Sequence, residues 1–278
     1  MKKFILNADT FGKSLDYNRA VLNGYNNGFV KSASILANGD AFETAVNEIL
    51  PECQHLSVGV HLNLTEGFPL VRSEFLTDNT GEFNNSFMKL VKLSKKTLYL
   101  KEIEREFRAQ IEKVQQYTKI SHIDSLDGIH CIPEIFILVC RLAQEYGIPY
   151  VRTHFEEFYI VKGIKYYINP KFILNFLKLL KFNFYSKLNI NTIKKYNLTT
   201  NNYVIGISYC GMMDEKTVES GLNNLKDEDN IIVEGIIHPC SYLSNINNSH
   251  STEFKLTQNK ILEDNIYRMG FEITSHKI

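Results

Sequence analysis

Short apolar segments that stop at a polar residue, each followed by a helical pattern, recur along the chain. Lys3 to Ala8 (KFILNA) runs into Asp9 at a polar turn, and Ser14 then opens a helix with Tyr17, Ala20, Val21 and Tyr25 on one side. Ser32 to Asn38 reads as a second strand, followed by a helix from Ala41 to Leu50 closed by Pro51. In a third, Leu56 to Leu64, Val58, Val60, Leu62 and Leu64 alternate with Ser57, Gly59, His61 and Asn63, so the histidine shares a face with small or polar residues. Further strands are predicted over 120–125, 149–153, 203–207 and 231–237, with helices over 95–117 and 133–146. Parallel strands need a long crossover, usually a helix, and this alternation supplies one after nearly every strand. The predicted class is therefore α/β, a mostly parallel sheet with helices on its outer side. The 278 residues, 44% of them hydrophobic, suit a single domain spanning 1–278.

Asp9, His61, Asp124, Arg152 and His238 all fall near the carboxyl ends of predicted strands, the rim where parallel α/β architectures bind ligands. Asp9, before the Gly12 turn, suits a general base or metal ligand, and equally a helix cap. His61 suits a metal ligand, an acid/base group or a hydrogen-bonded strand residue. Read as extended chain, His122, Asp124, Leu126, Gly128 and His130 share one side, with Asp127 opposite unless a bulge turns it inward. Neither HExxH nor HxxxH zinc spacing occurs here. Arg152 can hold a carboxylate or grip a substrate oxygen, and His238, just before Pro239, can protonate a leaving amine or cap its strand.

Lys plus Arg and Asp plus Glu each total 31, so no net charge favours nucleic acid or an anionic membrane as the main partner. Five scattered cysteines (Cys53, Cys131, Cys140, Cys210, Cys240) fit neither a disulfide framework nor a structural zinc site. The apolar run at the N-terminus stops at Leu6, too early for a signal peptide, and no stretch approaches the roughly 20 residues of a membrane span. A cytoplasmic location is expected. The 162–200 region stands apart as a helical insertion. Its NPKFILNFLKLLKFNFYSKL reads as a lid or homodimer-contact helix with solvated lysines, or else as a membrane-surface helix.

NADTFG, SASILANG, GVHLNLTEG, SHIDS, IPYVRT and IIHP, in this order, resemble the YdjC/ChbG family of carbohydrate deacetylases. The resemblance covers most of the chain and is weakest between Lys162 and Tyr203. It implies a distorted (β/α) barrel of the NodB-like, TIM-like kind that removes acetyl groups from N-acetylated amino sugars or oligosaccharides with a divalent metal, Mg or Zn. In the family's NADDFG motif the first Asp is the base and the second binds metal; here these positions are Asp9 and Thr10. The strand histidine ligand is kept as His61, but the histidine that follows DS in the family is Leu126. His238 matches a late family histidine, the expected acid. Asp9 and His238 are thus the expected catalytic pair, with Arg152, His130 and Asp124 contacting substrate. Metal would be held by His61, with His122 and Asp127 as candidate substitutes for the missing ligands.

Two substituted ligand positions leave three functional readings. One is an active deacetylase with a rearranged metal site. The second is a silent sugar-binding relative with no cofactor. In the third, Asp9, His61, Asp124, His130, Arg152 and His238 run metal-free acid/base chemistry on a carbohydrate.

Overall fold

The computed structural model describes residues 1–241 and 249–277. β1 (Lys2–Phe11) leads through α1 (Leu15–Asn27) to β2 (Ser32–Ile35). The next helical segment is not one helix. It starts as α2 (Phe42–Thr44), widens into a π-turn over Ala45–Ile49 and tightens to a 3-10 turn over Leu50–Glu52. Pro51 lies inside that last turn rather than ending the helix before it, because its missing N–H falls among donors a first turn leaves unbonded. β3 (Ser57–Leu62) is followed by α3 (Phe87–Leu93) and α4 (Thr97–Gln115), β4 (His122–Ser125) by α5 (Pro133–Glu145), and β5 (Tyr150–Val151) by α6 (Pro170–Lys195). β6 (Tyr203–Ile205), α7 (Glu215–Asn224) and β7 (Ile232–Ile237) come next. The described chain closes with α8 (Ser249–Leu256), α9 (Lys260–Arg268) and β8 (Phe271–Thr274), a strand sequence reading missed.

All strand pairs in the sheet are parallel, in the order β5-β4-β3-β2-β1-β7-β6, with β8 on the first half of β1. The two ends of the curled sheet approach each other: Val204 N–H donates to the Phe155 carbonyl at 2.8 Å, just past β5. This is the expected distorted barrel, and the 162–200 insertion is mainly the 26-residue α6.

Strand alternation sorts the side chains in an unusual sense. Phe4, Leu6 and Ala8, Ala33 and Ile35, Val58, Val60 and Leu62, Val233 and Ile237 pack into the main apolar cluster with the helices. The opposite face, lining the barrel interior, carries Asn7 and Asp9, Ser32 and Ser34, Gly59 and His61, His122 and Asp124, Arg152, and Glu234, all buried or nearly so. The interior is a hydrogen-bonded polar core. Gly59 is required there: a Cβ on it would lie 2.3 Å from the His122 ring.

Candidate active site

Arg152 is the hub of this core. One of the largest fully buried side chains, it places Nη1 2.8 Å from Asp9 Oδ2 and Nη2 2.8 Å from Asp9 Oδ1, a bidentate fork. Its Nη2 also lies 2.6 Å from Asp124 Oδ2, and Nε donates to Glu234 Oε1 at 2.8 Å. Asn7 Nδ2 donates to Asp9 Oδ1 and to Ser34 Oγ, each at 2.7 Å, and Ser34 Oγ donates to Asp124 Oδ2 at 2.5 Å. Four strands thus lock one guanidinium among three carboxylates. Burial alone would raise Asp9, but the charge and hydrogen bonds of Arg152 outweigh it and hold the carboxyl far below the usual range. Glu234 is likewise held down, burial being overcome chiefly by Arg152 and then by His276.

His61 hangs on this network by one nitrogen. Nδ1 lies 2.7 Å from Asp124 Oδ1, while Nε2 is buried with no partner among the described residues. Both His61 and Asp9 line a cavity of about 420 Å³ at the carboxyl ends of the strands. His238, just past β7, lines the same cavity with its side chain 28% exposed, and its Nδ1 lies 3.7 Å from Glu253 Oε2. Burial pulls the His238 imidazole down, yet the neighbouring Glu253 carboxylate and the charge of Asp9 prevail and raise it above its ordinary value.

The remaining expected residues divide. Asp124 is fully buried and acts on the cavity only through His61 and Arg152. His130 does not reach the cavity: Nε2 bonds the Arg152 carbonyl at 2.9 Å and Nδ1 meets Ser125 Oγ at 2.5 Å, so it braces the backbone that carries Arg152. His122 is equally spoken for, between Ser34 Oγ and Ser121 Oγ and stacked on His276 with centroids 3.6 Å apart. Extended alternation through 122–130 does not hold. β4 ends at Ser125 and a 3-10 segment with left-handed Asp127 (φ 55°) and Gly128 (φ 64°) follows. Leu126 and Asp127 therefore both line the cavity, and no bulge is involved. Asp127 accepts from Thr65 Oγ1 at 3.1 Å. Thr10 also lines the cavity, but its hydroxyl donates to the Asp9 carbonyl at 2.5 Å.

Sequence reading did not single out Glu234, His154 or Glu253. Glu234 lies four residues before His238, and His154, which lines the cavity, two after Arg152, so period-2 spacing from the expected site residues could have found both. Glu253 reaches His238 from α8, fifteen residues on, and nothing local signals it.

Among the described residues Asp9, His61 and Asp124 each offer a ligand atom, all within 4.8 Å of one another. An imidazole and two carboxylates are a donor set that hydrolytic metal ions accept. Two observations fit a divalent cation. The orphaned His61 Nε2 is oriented from behind by a carboxylate, the usual support of a metal-bound imidazole. Three carboxylates also surround one guanidinium in the interior, an acidic surplus that a bound cation, or a protonated His61 or His276, would offset. Thr10 and Leu126 add nothing to the set.

A model of the YdjC-like protein family matches residues 3–265. The chain belongs to the YdjC family. Carbohydrate deacetylase 1 of Listeria innocua is 40% identical over 154 residues, 55% of this chain and 61% of that protein. A carbohydrate deacetylase of Clostridium beijerinckii is 36% identical over 161 residues, 56% and 63% of the two chains. The chain thus spans about three fifths of the length of these relatives. Among solved structures, an Enterococcus faecalis protein named for cellobiose-phosphate cleavage superposes with a TM-score of 0.76 over 99% of this chain and 98% of that one, at 19% identity. That likeness is one of fold. The barrel and the family expected from the motifs are both borne out.

Proposed function

We propose that this YdjC-family chain is a deacetylase-type hydrolase acting on the N-acetyl group of an amino sugar or its oligosaccharide, with an altered metal site. The observation that carries the proposal is the pairing, across one cavity, of a carboxylate fixed by Arg152 with a histidine backed by Glu253. Arg152 keeps Asp9 ionised and fixes both its oxygens, so the free lone pairs are aimed rather than mobile. Asp9 would take the proton of the attacking water. His238, its pKa raised by the neighbouring Glu253, would give a proton to the departing amine nitrogen. A cation would be held by His61 Nε2 beside the Asp9 carboxylate, with Asp124 bracing the imidazole through Nδ1; when bound it would polarise the acetyl carbonyl and acidify water. The cavity volume lies within the range of small-ligand sites and suits one or two sugar units.

A catalytically silent sugar-binding relative is the second reading, favoured by one observation: Thr10 and Leu126 stand at two cavity positions where the resemblance expects ligands and offer no free donor. Acetate release from N-acetylated chitooligosaccharides, measured with and without added Mg²⁺ or Zn²⁺, separates the two. Metal-stimulated acetate supports hydrolysis. Sugar binding by calorimetry with no acetate under either condition supports the silent relative. We further propose that residues 1–278 act as one domain.

A further inference from the structure

α6 is apolar on two opposite sides. At about 100° per residue, Leu179, Phe182, Ser186, Asn189 and Ile193 fall within one sector of about 80°, and these are the buried positions of the helix. Ile173, Leu177, Leu180, Phe184 and Leu188 fall within a second sector of similar width on the far side. These five are each 52–65% exposed, an apolar stripe about four turns long that no described residue covers. The surface continues off the helix, where the Phe158 ring packs edge-on against Phe176 at 5.5 Å beside Ile160, itself 72% exposed.

The charges on α6 decide what covers the stripe. The helix carries six lysines (Lys171, Lys178, Lys181, Lys187, Lys194, Lys195) and no acidic residue, and none of the six forms an ion pair among the described residues. Lys187 and Lys194 border the stripe on one side. Lys181 borders it on the other, its ammonium resting over the Phe87 ring. A second copy of this chain docking two-fold on the stripe would set the lysines of one α6 against those of the other, with no carboxylate from either helix between them. An anionic bilayer surface matches both features, taking the stripe into the acyl boundary and the lysines onto its headgroups. No helix among the described residues is long and apolar enough to cross a membrane, so the contact would be peripheral.

We propose that α6 is a membrane-surface helix that seats this protein on anionic lipid. The opposite flank of the same helix lends Lys171, Asn175, Lys178 and Phe182 to the wall of the cavity, so docking would hold the cavity mouth beside the headgroup layer.

The test is co-sedimentation of the full chain with vesicles of phosphatidylcholine alone or with 30% phosphatidylglycerol, at low and at 0.5 M salt. Two lysines at roughly fivefold each predict at least about a tenfold preference for the anionic vesicles, diminished by salt. The triple variant I173S/L177S/F184S changes only exposed positions and should lose at least about tenfold of the binding while keeping its circular dichroism. Equal partition to both vesicles, no partition to either, or undiminished binding of the triple variant overturns the proposal. Light scattering that finds a dimer dissociated by the same variant also overturns it, assigning the stripe to a second copy.

Discussion

Replacing Arg152 with methionine removes the guanidinium at the centre of the barrel interior while keeping most of its volume. Removing one partner of a buried ion pair costs about 3–5 kcal/mol. Three carboxylates at 2.6–2.8 Å depend on this single guanidinium, so the upper end is expected, about 5 kcal/mol, or roughly 10 °C in Tm for a chain of this length. The loss should depend on pH with a definite sign. In the native protein Asp9 and Glu234 have lowered pKa values, so their contribution is complete above the unfolded value near 4 and is lost only as pH falls through the folded value. It is therefore undiminished between pH 8 and pH 5. In Arg152→Met, burial acts without its counterweight and raises the folded values. The deficit is then full at pH 8 and shrinks toward pH 5 as the carboxyls take up protons. Thermal unfolding of both proteins at pH 5, 6.5 and 8 measures this. A loss below about 1 kcal/mol at pH 8, the scale of an exposed pair, or the same loss at all three pH values, would refute the account of Arg152 as the hub.

Asp9→Asn should lower acetate release by about 100- to 10,000-fold with the fold retained by circular dichroism; a smaller drop removes Asp9 from the chemistry. In Glu253→Gln the group that raises His238 is gone, so the alkaline limb of kcat/KM for acetate release should move to lower pH than in the unsubstituted protein, and an unmoved limb shows that His238 is not the acid. Added Zn²⁺ should raise Tm by the equivalent of about 2.7 kcal/mol at a hundredfold excess over Kd, and His61→Gln should abolish the rise; an equal rise in the variant places the ion elsewhere. Gly59→Ala should destabilise by about 1–3 kcal/mol as its methyl drives into the His122 ring, and His122→Ala in the same chain should recover part of that loss in thermal unfolding.

The parallel sheet and the rim positions of Asp9, His61, Arg152 and His238 were legible because strand and helix periodicities are local signals. The barrel's polar interior was only half legible. Alternation in β3 put His61 opposite the valines, but which face looked inward depends on curvature, which no single strand encodes. The 126–128 turn was read as extended chain because positive φ is uncommon at any residue other than glycine, Asp127 included, and Gly128 alone did not announce it. β8 escaped because four residues at a chain end pair only with the distant β1, a long-range contact with no sequence neighbour to suggest it. Glu253 was hidden for the same reason, since its partner comes from a different element.

The positions at which this chain keeps and departs from its family's motifs follow from the same network. Asp9 and Asp124 are bonded into the buried core, and His61 is tied to it through Nδ1. Changing any of them exposes Arg152 or a neighbour to an unpaired charge or donor in a medium that cannot solvate it. Thr10 and Leu126 stand at the cavity wall outside this network, the first bonded only to its neighbour's carbonyl. Exchange there leaves the interior intact. Fold stability alone therefore suffices to retain Asp9 and Asp124, and their presence says little about turnover. The groups without that structural debt are His61 Nε2, which is buried and unpartnered, and the His238 ring, which faces the cavity. Whether the protein hydrolyses an N-acetylated sugar turns on those two imidazoles, and the Zn²⁺ titration of His61→Gln and the pH profile of Glu253→Gln each probe one of them while leaving Arg152 and its three carboxylates in the chain.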